Sequence, residues 1–105
     1  MQLEEIKKLA LKIRVKYEEY EKQRNGKPWT NEQIIEGFIV DVGDLTRLIM
    51  AKEGIRDGEN VDEGLAHELS DCLWCVLVLA DKYGIDLEKV FVENMNELHK
   101  KLELQ

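Results

Sequence analysis

Four acidic residues stand in stretches where a soluble helix ordinarily carries apolar side chains. Asp41 and Asp44 lie within Phe38-Ile39-Val40-Asp41-Val42-Gly43-Asp44-Leu45, and Glu68 and Asp71 within Glu68-Leu69-Ser70-Asp71-Cys72-Leu73-Trp74. An ionised carboxylate buried without a partner costs several kcal/mol, so acids on a core-facing surface are normally paired, protonated or bound to a cation. A spacing of three puts both carboxylates of a pair on neighbouring positions of one helix face. Carboxylate oxygens with open water positions suit Mg²⁺ or Mn²⁺ rather than zinc or copper. With 35% of the chain charged, an isolated acid-x-x-acid spacing is more often a solvated helix face. Two such pairs inside apolar runs are what points to a site.

The elements that must position these acids read as helices. Residues 2 to 24 carry Leu3, Ile6, Ala10, Ile13, Tyr17 and Tyr20 at helical spacing opposite Lys and Glu, the pattern of an amphipathic helix, and Asn25-Gly26-Lys27-Pro28 ends it. Thr30-Asn31-Glu32-Gln33 has the form of a capping box and opens a second helix to about Glu53. Gly54 to Val61 is a loop. A third helix starts near Asp62 and ends at Tyr83-Gly84, and Asp86 caps a fourth from Leu87 to about Leu102. No stretch reads convincingly as a strand, repeat or linker. At 105 residues the chain is expected to be one domain, residues 1–105, all-α and four-helix bundle-like.

At about 100° per residue, Ile34, Phe38, Val42, Leu45, Leu48 and Ile49 share one arc of the second helix, with Asp41 inside it and Asp44 at its edge. On the third helix Leu65, Leu69, Cys72, Val76, Leu79 and Tyr83 share an arc flanked by Glu68 and Asp71. Both acid pairs are thereby expected to point into the bundle. Cys72 to Ala80 has no polar face, so that helix must be covered all round, and three neighbours in so short a chain leave surface for a second copy. A homodimer or homotetramer is expected, with Trp74 at its interface. Gly43, beside Asp44, permits close approach of a substrate phosphate or, equally, of a packed helix. Cys72 and Cys75 read as buried structural thiols.

The formal net charge of -7 argues against a surface that tracks nucleic-acid polymers. No window suits a membrane span and the N-terminus opens with acids, so a soluble, cytoplasmic location is expected.

Taken in order, Asp41-Val42-Gly43-Asp44-Leu45, then Glu68-Leu69-Ser70-Asp71-Cys72-Leu73, then Tyr83-Gly84-Ile85-Asp86-Leu87-Glu88 resemble the MazG-like nucleotide pyrophosphohydrolases of the all-α NTP pyrophosphatase superfamily. That pattern is Glu-x-x-Glu, a variable spacer, then Glu-x-x-Asp; here 23 residues lie between Asp44 and Glu68, and the resemblance spans roughly residues 30 to 102. Aspartates replace both glutamates of the first motif. The resemblance implies hydrolysis of a nucleoside triphosphate to the monophosphate and pyrophosphate, including non-standard nucleotides. It makes Asp41, Asp44, Glu68 and Asp71 the ligands of Mg²⁺ (or Mn²⁺), with Asp44 and Glu68 as catalytic residues and Asp44 favoured as the proton acceptor. Asn94 stands where members carry a substrate-contacting lysine. Lys101 and Arg56 are candidates for the phosphates, and Trp29 either stacks on the base or staples the second helix. The alternative is a catalytically impaired helical interaction or regulatory module of the same fold. A di-iron bundle is disfavoured, since no Glu-x-x-His occurs.

Overall fold

The computed structural model describes residues 1–103, and these form four helices: α1 (Leu3–Asn25), α2 (Asn31–Lys52), α3 (Val61–Lys82) and α4 (Leu87–Glu103). Each boundary has a local cause. Gly26, at φ 83°, closes α1 by donating its N–H to Lys22 O at 2.9 Å, a left-handed cap that glycine adopts without strain. The capping box of α2 is reciprocal, with Gln33 N donating to Thr30 Oγ1 at 3.2 Å and Thr30 N to Gln33 Oε1 at 2.9 Å. Lys89 N donates to Asp86 Oδ1 at 3.3 Å and so caps α4. Helices at the expected places, and no strand among the described residues, make the chain all-α as its sequence predicts.

The core is built around α3, against which α2 and, less extensively, α1 pack. Ala10, Ile34, Leu48, Cys75, Leu77, Val78 and Ala80 form the buried apolar set. Gly64 lets α2 approach closely, since a Cβ there would meet the Leu48 side chain at 3.2 Å. A buried ion pair within α1 anchors the connection that leads into α2. Arg14 Nη2 donates to Glu21 Oε1 at 2.7 Å and Nη1 to Oε2 at 3.0 Å, and Glu21 Oε1 also accepts the Trp29 N–H at 2.7 Å.

Two expectations change here. The third helix does not bury the arc predicted for it: Leu69, Val76 and Tyr83 are exposed, whereas Cys75, Leu77 and Val78 are buried. In a helix apolar on every side, periodicity fixes no face, and the choice falls to the two helices that flank it. Trp74 is not on a free outer face either. Its Nε1 donates to Ala10 O at 3.0 Å and its ring meets Tyr17 edge-on, with centroids 5.8 Å apart.

The fourth helix is amphipathic but buries none of its residues; Phe91, Met95, Leu98 and Leu102 all lie exposed. The radius of gyration is accordingly 16.9 Å, against about 13 Å for a compact domain of this length.

Candidate metal centre

α2 and α3 bring together three of the four predicted acids. Asp41, Asp44 and Glu68 each offer a carboxylate oxygen within 4.8 Å of the others, and a second group at the same spacing joins Glu68 to Asp71 and His67. Glu68 belongs to both groups and is the residue on which the centre turns. Helical register explains the meeting: Asp41 and Asp44 share the face of α2 that carries buried Leu48, and Glu68 lies one turn after Gly64, which packs against Leu48.

Electrostatics mark the same spot. Burial pushes the Glu68 carboxyl above the usual glutamate range, and the negative charges of Asp71, Asp44 and Asp41 push it further. Glu68 Oε2 is buried with no hydrogen-bond partner. Cys75 Sγ donates to Asp41 Oδ2 at 3.5 Å, and burial followed by that contact pushes the thiol up to about 12. At neutral pH it stays protonated and serves to orient Asp41. Asp44 Oδ1 lies 3.6 Å from Arg47 Nη2, and Asp71 Oδ2 lies 3.1 Å from His67 Nε2. One cation, Arg47 beside Asp44, leaves the cluster anionic, and a bare carboxylate oxygen among acids is the donor set a hard divalent cation satisfies.

The remaining predicted residues are not gathered here. Arg56 is exposed in the turn between α2 and α3, while Asn94 and Lys101 are exposed on α4, none of them among the residues of the acid centre. Trp29 lies close by: a Cβ on Gly37 of α2 would meet its ring at 3.3 Å, and it lines a cavity of about 540 Å³ that Asp41 and Asp71 also line. Sequence reasoning missed Arg14, Tyr17 and Tyr20 as residues of this cavity. The spacing of Tyr17 and Tyr20 marks only the apolar stripe of an amphipathic helix, and Arg14, buried opposite Glu21, is in sequence one charge among many on that helix. The only signal was the i,i+7 spacing of Arg14 and Glu21, which brings opposite charges to one face two turns apart.

Searches of curated proteins and of solved structures found no match to the chain. The family model for the MazG nucleotide pyrophosphohydrolase domain matches residues 29–103, from Trp29 through the end of α4, and leaves α1 outside. That span holds the whole acid centre and nearly three quarters of the sequence, and the chain therefore belongs to the MazG nucleotide pyrophosphohydrolase domain family.

Proposed function

We propose that this chain is a divalent-metal-dependent nucleotide pyrophosphohydrolase, cleaving a nucleoside triphosphate, standard or modified, to its monophosphate and pyrophosphate. The observation that carries this reading is the unpartnered, buried Glu68 Oε2 at the meeting point of Asp41 and Asp44, in a chain of this family. Asp41, Asp44 and Glu68 would hold Mg²⁺ or Mn²⁺, with Asp71 joining the site through its grouping with Glu68. When bound, such an ion neutralises phosphate oxygens and lowers the pKa of an attacking water.

The chain's own groups then divide the work. Asp44, half-exposed, is the acceptor for the water's proton as the water oxygen joins phosphorus and the bond to the leaving pyrophosphate breaks. Glu68 fixes the geometry between the two acid groups. Trp29 offers a face to the base, and Arg56, Lys101 and Asn94 offer donors to the phosphates.

The proposal extends to a homodimer. Residues of α4 reach no acid centre of their own chain, while the accessible surface of 8285 Å² exceeds by about 2,200 Å² what a compact 12.3 kDa monomer exposes. Twice that excess falls in the range of permanent homodimer interfaces. No helix among the described residues is long and apolar enough to cross a membrane.

The direct test incubates the protein with a panel of nucleoside triphosphates and Mg²⁺ or Mn²⁺ and measures pyrophosphate. No turnover across the panel, together with no calorimetric metal binding, would sink the proposal. Asp41→Ala is expected to abolish turnover, by at least about 10²-fold, with helicity by circular dichroism retained; unchanged turnover would exclude Asp41 as a ligand.

A further inference from the structure

The cavity beside the acid centre is walled largely by α1, the one helix outside the family match. Its volume of about 540 Å³ is that of a small-molecule site. Four aromatic rings, Tyr17, Tyr20, Trp29 and Trp74, line it, and Asp41 and Asp71 form its border with the acid centre. A nucleotide whose phosphates lie at the acids has this cavity within reach for its base, and the rings offer stacking faces.

Stacking does not choose among bases; a fixed hydrogen-bond donor does. Arg14 lines the cavity with its side chain only 4% exposed. Glu21 takes one N–H from each of its terminal nitrogens, which holds the planar guanidinium in a single orientation. Of the five N–H groups of an arginine three are then left over. Nε is one of them, buried without a hydrogen bond, because Glu18 Oε1 at 3.5 Å is an ionic neighbour and no more. Nε is itself shut off from solvent, so the donors left for a ligand in the cavity that Arg14 lines are the second N–H of each terminal nitrogen, and an acceptor on the ligand is what they lack.

We propose that the cavity walled by α1 is the nucleoside subsite and that Arg14, held in place by Glu21, donates to a ring carbonyl of the base. This rests on the nucleotide reading above, and it adds a selection rule. Bases bearing a ring carbonyl are accepted over adenine, which at position 6 turns an amine donor towards the arginine in place of that acceptor. Glu21 acts as a positioning residue, since it aims Arg14 and, through the Trp29 N–H, also sets the loop that carries the Trp29 ring.

Inosine and adenosine differ at position 6, carbonyl against amine, and carry no phosphate, so they probe the subsite apart from metal and hydrolysis. Quenching of Trp29 and Trp74 fluorescence in the full chain is expected to show inosine binding at least about tenfold tighter than adenosine, the discrimination that one lost buried hydrogen bond gives. Arg14→Met should bring the two affinities together, and Tyr17→Ala should weaken both. Equal affinities in the unaltered protein would overturn the proposal, as would no quenching by either nucleoside, or a gap that survives in folded Arg14→Met. If that variant does not fold, Arg14→Met with Glu21→Gln removes both members of the pair, and the comparison in the unaltered chain stands by itself. Triphosphate turnover with no preference for inosine over adenosine would end this inference and leave the hydrolase; nucleoside selectivity in a chain that cleaves nothing would do the reverse.

Discussion

Glu68 is under electrostatic tension, because burial and three neighbouring acids all favour its protonated form. A carboxyl whose folded pKa is raised contributes no penalty below the unfolded value and an increasing one as pH climbs from there towards the folded value. The metal-free protein is therefore expected to lose stability with rising pH through the window just above the ordinary glutamate range. Thermal unfolding of Glu68→Gln should lack that component, and Mg²⁺ should restore the unaltered chain most at the upper end of the window; parallel pH profiles for the two proteins would contradict it. The Arg14–Glu21 pair makes a second prediction at this scale. With both side chains at most 6% exposed, Glu21→Gln takes from a buried cation its close counter-charge and leaves only Glu18 at 3.5 Å, at an expected cost of about 3 kcal/mol in urea unfolding. A cost under about 1 kcal/mol would mean that water reaches the pair.

At the scale of the helix, Gly43 is an unforced weakness. It sits within α2, and a Cβ there would meet nothing within 4 Å. Helix packing inside the chain therefore gives no reason for it. Gly43→Ala is expected to stabilise the protein by about 0.5–1 kcal/mol, read as a shift of the denaturant midpoint. A destabilised variant would show that another chain packs there. Gly64 on α3 is the contrasting case, since Leu48 occupies the space a side chain would need. The two glycines are indistinguishable in sequence, for each sits in a helical run beside an acid or an apolar residue. Only the neighbouring helix separates them.

For the whole molecule the outstanding feature is α4, an amphipathic helix whose own chain buries none of its apolar stripe. A second copy is the proposed cover, and sedimentation is expected to give a dimer or larger at micromolar concentration. Phe91→Asp with Leu98→Asp places charge on two residues of that stripe and should drive the protein towards monomer. A monomeric unaltered chain would refute the dimer while leaving the acid centre as it is.

Much of this protein was determined by its sequence alone. Four helices and their ends followed from periodicity and from Gly26, Thr30, Gly84 and Asp86, because capping and amphipathic spacing act within a few residues along the chain. The acids announced themselves through their setting in apolar runs, and Asp41, Asp44 and Glu68 do converge. Tertiary structure alone decided which face of α3 is inside, since a helix apolar on all sides carries no phase. It also moved Trp74 from an expected outer surface to a hydrogen bond with α1, and it turned Arg14 from an ordinary surface charge into a buried group fixed by Glu21. Those outcomes depend on contacts between residues up to 64 apart in the chain. Local spacing brings Arg14 and Glu21 to one face of α1 but cannot encode their burial, the inner face of α3 or the place of Trp74, because these arise only once helices pack.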